Sequence, residues 1–360
     1  MIKKIVLKNF KCFDEIEIPF QKLTLLAGSN GSGKSTIIQS ILVSAQSMMS
    51  SDGILDLMGE YIKLGYSNDV FYEFNEDQSH EMIISIEEEE GLSFLCANYE
   101  SNKIKLKLLD GSQFVQENSC LQKEHFEYIA ADRISPDKIF SVFGENERIG
   151  IHGEYVLNYL NSFGNKEING SICDNGVDAI LILQLDYWLS HLFNGFSVRF
   201  EELIKADTIN LRFQEVSKMD LSNERRPINV GFGITYILPV LVALLKAKPG
   251  DVVIVENPEC HLHPKAQRMI GELMAKVANS GVQVIVETHS DHVLNGIRLS
   301  VKRGYISKVD TQILFVDRED IGTHYHTNVY APNIQENGDL DVWPDGFFDE
   351  WDNTLLSLLR

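Results

Sequence analysis

The chain has 360 residues, of which 44% are hydrophobic, 9% aromatic and 23% charged, ordinary values for a globular protein with ample chain for a core. Its 52 acidic and 32 basic side chains leave a net charge of −20, which repels phosphate backbones and argues against general coating of nucleic acid. The five cysteines (Cys12, Cys96, Cys120, Cys173 and Cys260) are scattered and form no CxxC pair, which excludes a disulfide framework or a structural zinc site and points to a reduced, cytoplasmic protein.

The N-terminus is too broken by charge for a signal peptide. No apolar run reaches the roughly 18 residues of a membrane span, and the nearest, Ile234 to Lys246, stops at Lys248 and Pro249. In chain order, Ile5, Leu7 and Phe10, then Phe13, Ile16 and Ile18, read as a strand, turn and strand. Leu23 to Ala27 is a short apolar run that suits a buried strand, followed by glycines and a helix from Lys34 to Ser47. From 48 to 226 the pattern changes. Met82–Ile86, Leu92–Ala97, Ile104–Leu109 and Phe126–Ile129 read as short strands, with turn chemistry at Gly91 and Asp110-Gly111. The acidic run Glu87 to Glu90 reads as an exposed turn, and Lys103, Lys105, Lys107, Arg225 and Arg226 as solvated surface. Helices are expected between Glu154 and His191, then a strand pair at Phe196–Phe200 and Ile209–Phe213.

The last third alternates strand and helix: Val252–Val255, a helix opened by Pro264 and running to Ala278, Val282–Val286, a helix capped by Asp291, then Thr311–Val316 and His326–Tyr330. Such alternation implies a parallel sheet covered by helices.

Gly28-Ser29-Asn30-Gly31-Ser32-Gly33-Lys34-Ser35 fits G-x-x-x-x-G-K-[ST], between an apolar strand and a helix as a phosphate loop requires. Asn30, Gly31, Ser32 and Gly33 would turn main-chain N–H groups onto phosphate oxygens, with Thr36 continuing into the helix. Lys34 would reach the β- and γ-phosphates, and Ser35 would offer a hydroxyl to Mg²⁺. The second acidic half follows Val252–Val255, in Glu256-Asn257-Pro258-Glu259. An apolar strand ending in carboxylates is the Walker B arrangement, one acid for Mg²⁺ and a second for the attacking water. His289, after the strand Val282–Val286, stands where a γ-phosphate sensor would stand. His261 and His263 beside Cys260 have metal-like spacing, but no second ligand pair completes a four-coordinate site.

These segments resemble a family. The opening IKKIVLKNFKCFDE with LTLLAGSNGSGKSTIIQSI resembles the RecF/SMC-like branch of the ABC ATPases. VVIVENPECHLHPKAQ and VIVETHSDHVLNGIR resemble the Walker B, D-loop and H-loop segments of prokaryotic RecF-like AAA ATPases, related to the ATPase part of overcoming-lysogenization-defect (OLD) proteins. The tail ENGDLDVWPDGFFDE is similar to a C-terminal domain of unknown function found in one group of them, and between 48 and 226 only YIAADRISP around Arg133 matches.

The resemblance implies an α/β fold: an ABC-type P-loop ATPase core with a mixed α+β insertion. The expected parts are 1–47 with the phosphate loop, a 48–226 insertion, 227–318 with signature, Walker B and H-loop, and a 319–360 extension. It also implies ATP with Mg²⁺ held by Ser35 and Glu256, and a homodimer closed around ATP. In that dimer Gly231, Gly233 and Thr235, in an altered signature, would cap the partner's nucleotide. Family Walker B strands usually end Asp-Glu-Pro. Pro258 sets the register, so Asn257 takes the position of the catalytic glutamate, which predicts slow hydrolysis unless Glu259 substitutes.

Three readings follow: an ATPase with a dimerisation cycle, a nucleotide-gated switch with little hydrolysis, and an OLD-like nuclease. The nuclease reading has only Asp339 and Asp341 as a DxD candidate, with about 70 residues after Ser290 and no strand–helix unit around the pair. Family association adds a protein effector partner and a role in phage defence or DNA repair. DNA binding has no support from net charge, and no membrane partner is expected.

Overall fold

The computed structural model describes residues 1–49, 53–74, 81–114, 119–133, 140–141, 147–173, 176–216, 222–349, 354–355 and 357–358. Ile134 to Pro136 of the YIAADRISP segment, and Glu350 of the tail, lie outside the described residues. In chain order the strands are β1 (Ile2–Phe10), β2 (Phe13–Pro19), β3 (Leu23–Gly28), β4 (Ile54–Asp56), β5 (Glu81–Glu88), β6 (Leu92–Asn98), β7 (Lys105–Lys107), β8 (Phe126–Ile129), β9 (Phe140–Ser141), β10 (Phe196–Leu203), β11 (Thr208–Glu215), β12 (Val252–Glu256), β13 (Gln283–Glu287), β14 (Thr311–Asp320) and β15 (Tyr325–Tyr330). The helices are α1 (Lys34–Met48), α2 (Val156–Phe163), α3 (Leu181–Phe193), α4 (Phe232–Lys246), α5 (Pro264–Asn279) and α6 (Asp291–Lys302).

The chain divides into two compact units, one of residues 1–126, 250–252 and 308–360, the other of residues 127–249 and 253–307. In the first, β2-β1-β5-β6 form an antiparallel sheet with Ile5 opposite Ile18 and Ile86. The odd-spaced apolar residues of β1 face inward, as period-two patterning demands. In a second group of strands, β14 pairs antiparallel with β15 and parallel with β3, setting Leu25 opposite Ile313 and Gly28 opposite Val316. Leu23 to Ala27 are all buried, which explains the unbroken apolar run.

In the second unit, β13, β12 and β8 are neighbours in that order, and α5 and α6 pack on each other. The hairpin of β10 and β11 is antiparallel with Val198 opposite Phe213, as the sequence predicts, and β9 pairs with β11. α4 is buried along almost its whole length, with Pro239 inside it. Among the described residues no helix is long and apolar enough to cross a membrane.

Three expectations need correction. Asp291 does not cap α6. Ser290 does, its hydroxyl accepting from the N–H groups of His292 and Val293, while Asp291 lies in the first turn. Glu88 is no exposed turn residue but stands on β5 at 4% exposure. Its carboxylate accepts from Ser119 Oγ at 2.8 Å and from the Cys120 N–H at 2.8 Å, which compensates its burial. The strand expected at Ile104–Leu109 shrinks to Lys105–Lys107, paired with β4, where Lys105 meets Asp56 at 3.6 Å, while Leu108 bridges Ala97 of β6.

Lys246 at the end of α4 forms an ion pair with Glu127 at 2.5 Å, both largely enclosed, and its ammonium lies 4.9 Å from the Tyr159 ring centre. Removing one partner of such a pair strands the other. Lys246→Ala is therefore expected to destabilise the protein by about 3 kcal/mol in urea unfolding. A change no larger than that of an exposed lysine would disprove this role.

Candidate nucleotide-binding site

In the first unit the phosphate loop runs from the end of β3 into α1. The cramped start of the loop dictates Gly28. A Cβ there would stand 2.0 Å from the Val316 carbonyl oxygen, and φ is +144°. Gly33 is the N-cap of α1 in a left-handed conformation, with no side-chain cap and no acidic residue in the first turn. A 15-residue helix thus begins with a positive dipole end that no side chain of its own covers. Lys34 is buried, and its Nζ donates to the carbonyls of Gly28 at 3.0 Å and Ser29 at 2.7 Å. Ser29, Asn30, Gly31 and Ser35 are exposed. Ser32 is fully buried with an Oγ that has no partner among the described residues, a polar atom that a phosphate oxygen would satisfy. Thr36 is buried, and its Oγ1 accepts from the Cys12 thiol at 3.7 Å.

In the second unit the ends of β12 and β13 carry the acidic half. The Asn257 N–H donates to the Glu287 carbonyl at 2.8 Å, joining the two strand ends. Asn257 has φ +44°, a left-handed conformation that asparagine tolerates better than glutamate, and its Oδ1 is buried without a partner. Glu256 Oε1 accepts from the Tyr128 hydroxyl at 3.1 Å. Burial raises its carboxyl above the ordinary range, and the hydrogen bonds from Tyr128 and the Ala131 N–H pull the other way. Burial likewise pushes the Tyr128 phenol up.

Glu259 is fully engaged in tying loops together. One oxygen accepts from Thr288 Oγ1 at 2.7 Å and the other from the His289 N–H at 2.8 Å. Ser290 continues the network, its N–H donating to Thr288 Oγ1 and its hydroxyl to Gln267 Oε1 at 2.6 Å. His289 itself is exposed at the head of this locked turn.

The segment expected to be an altered signature opens α4, with Gly231 as an extended N-cap and no side-chain cap. A Cβ at Gly231 would meet nothing, whereas one at Gly233 would stand 2.4 Å from the His261 carbonyl oxygen. Thr235 is fully buried with its Oγ1 unpartnered. Gly233 and Thr235 therefore face inward, and Gly231 faces open space beside the exposed Phe232 and Ile228. His263 caps α5, its Nδ1 accepting from the Lys265 N–H at 3.3 Å, and the His261 ring lies 4.9 Å from Tyr236. Among the described residues no three His, Cys, Asp or Glu side chains gather as a metal cluster.

The DxD pair is also occupied locally. Asp341 accepts from the N–H and Nδ2 of Asn333, which holds its carboxyl below the usual range, and Asp339 accepts from Asn337 Nδ2. Sequence reasoning assigned no role to Arg133, Tyr128 or Thr288. The signal for the first two was the segment YIAADRISP, which carries both and matches the resembling family. Thr288 carried none.

The fold is mixed α/β and similar to that of SMC-head, ABC-type P-loop ATPase domains. Residues 1–148 match the AAA ATPase domain, residues 190–295 the AAA domain described as a putative AbiEii toxin of a type IV toxin–antitoxin system, and residues 306–358 the protein of unknown function DUF3696. A curated relative, the OLD nuclease of Thermus scotoductus, is 21% identical over 81% of this chain, which spans 59% of that protein's length. Among solved structures, an Smc head bound to the C-terminal winged-helix domain of ScpA has a TM-score of 0.53 at 18% identity, covering 92% of this chain and 98% of the other. The Smc head with an extended coiled coil bound to the C-terminal domain of ScpA, derived from Pyrococcus furiosus, scores 0.52 at 14% identity and covers both chains fully. These two structures bear on the fold. The chain thus carries segments similar to AAA ATPase domains at 1–148 and 190–295, and its sequence is similar at low identity to an OLD nuclease.

The raised carboxyl of Glu256 has a direct consequence for the ligand-free protein. A group that holds its proton more tightly when folded costs stability above that raised value, and the cost fades as pH falls through it. Glu256→Gln is thus expected to stabilise the ligand-free protein at neutral pH and to bring no gain in acid. Urea unfolding at both pH values checks this, and an equal effect at both would contradict it.

Proposed function

We propose that this chain binds Mg·ATP at Gly28 to Thr36 and hydrolyses it slowly, in a cycle with a second copy of itself. The observation that carries the reading is the uncapped N-terminus of α1, with the glycine-rich loop before it and Lys34 folded across that loop. Backbone N–H groups, a helix dipole and a lysine together suit a chain of phosphates. The partnerless buried Ser32 Oγ fits the same ligand. Magnesium, when bound, would neutralise charge on the terminal phosphates, with Ser35 and Glu256 holding it. Asn257 would orient the attacking water through its Oδ1, which cannot remove a proton. His289 would sense the γ-phosphate from its exposed turn. Glu259 would act by holding that turn, since both its oxygens are engaged. The open face at Gly231 and the start of α4 would meet the nucleotide of the second copy. A separate effector protein, in phage defence or DNA repair, would read the cycle.

Phosphate release from Mg·ATP, measured at several protein concentrations beside Lys34→Ala, tests this directly. Release that rises faster than linearly with protein and vanishes in the variant supports a dimeric ATPase. Equal ATP affinity in wild type and variant would remove the basis of the site.

A second reading, a nucleotide-gated switch with almost no turnover, is favoured by Asn257 together with the altered signature at Gly231 to Thr235. Asn257→Asp distinguishes the two, because aspartate also tolerates the left-handed backbone and adds a base. Base assistance is worth roughly 10²–10⁴ in rate. Asn257→Asp is expected to raise phosphate release toward that range, and an unchanged rate would mean that position 257 does not limit hydrolysis. The nuclease activity in the relative's name comes to this chain only as a third reading. Its one DxD candidate is committed to loop hydrogen bonds, and plasmid nicking with Mn²⁺ tests it.

A further inference from the structure

Arg133 is 6% exposed, and among the described residues no carboxylate forms an ion pair with it. Its donors go to main chain. Nη1 donates to the Asn257 carbonyl at 3.2 Å, and Nη2 donates to the carbonyls of both Asn257, at 3.2 Å, and Glu256. One planar fork therefore grips two consecutive carbonyls. In an extended strand successive carbonyls point to opposite sides. Here they converge because Asn257, at φ +44°, leaves the strand conformation as β12 ends. The peptide of Asn257 is thus held at both ends, by Arg133 on its carbonyl and by the Glu287 carbonyl on its N–H. The side chain between those anchors is the amide whose Oδ1 is buried without a partner.

We propose that Arg133 is a positioning residue, whose forked grip on the Glu256 and Asn257 carbonyls sets the left-handed turn that aims Glu256 and Asn257 at the ligand. This rests on the reading of those two residues as the metal-holding and water-orienting groups. The chemistry asks for arginine. A left-handed asparagine is only tolerated, not preferred, so an outside donor must pin it. Lysine would bring a point charge and no planar fork, and so could not hold two carbonyls in fixed directions. A guanidinium also stays protonated when enclosed. Burial lowers the Arg133 pKa, while Cys260, Glu259, Tyr236 and Glu256 favour its charged form.

The test compares wild type, Arg133→Lys and Arg133→Ala in steady-state ATP hydrolysis, thermal unfolding and amide hydrogen exchange. Misplacement of a reacting group by about 1 Å can cost roughly 10²-fold in rate. Both variants are expected to lose kcat on that order while KM for Mg·ATP stays put, and exchange at Asn257 to Leu262 should quicken with the remaining core unchanged. Arg133→Lys is the smaller change and keeps the comparison readable if Arg133→Ala folds poorly. Wild-type kcat in Arg133→Lys, or unchanged exchange around Asn257, would overturn the inference, as would a loss confined to KM. A wild type without any turnover would sink the hydrolysis reading instead. The exchange comparison would then decide alone whether Arg133 holds the turn.

Discussion

A helix that begins without a side-chain cap leaves its first N–H groups and its positive dipole end to something else, and α1 is such a helix. The first unit is arranged around that end. β3 is buried on both faces, so it delivers the loop at one fixed point. Gly28 presses against the Val316 carbonyl of β14, where no other residue has room. Lys34, held by two carbonyls of its own loop, places a cation over the same spot. An anion nest backed by a lysine is the physical reason for reading this end as a polyphosphate site.

The second unit solves a different problem, that of keeping polar groups in order at the buried ends of two strands. Burial alone would push the Glu256 carboxyl toward neutrality, and Tyr128 partly offsets this. Glu259 joins the turn after β12 to the turn after β13, through Thr288 and the His289 main chain. Ser290 both caps α6 and reaches Gln267 on α5. The exposed His289 thus projects from a turn whose backbone is held on several sides. Charge here is structural before it is chemical.

Much of this was legible in the amino-acid order. The spacing of glycines, lysine and serine between an apolar run and a helix locates the loop, because only small residues allow that backbone path. Pro264 opens α5 and the apolar runs at Val252 and Val282 become strands, since a fully buried strand has no need of alternation. Other features were not legible. Ser290 outcompeted Asp291 as the cap because the chain enters α6 one residue earlier than charge suggests. Glu88 looked solvated in an acidic run, yet Ser119 and the Cys120 N–H, some thirty residues on, make its burial tolerable.

What the sequence determined by itself was local: the glycine-rich turn between an apolar strand and a helix, the acidic end of the strand at Val252, and the strand–helix rhythm. Each depends on residues adjacent in the chain, where spacing and residue type already fix the possible geometry. Tertiary structure alone decided which polar groups are partnered. Arg133 gripping carbonyls at 256 and 257, Glu259 committed to Thr288 and His289, and Thr235 and Gly233 turned inward all depend on contacts between distant segments. A buried polar group must find a partner wherever packing brings one, and packing cannot be read along the chain.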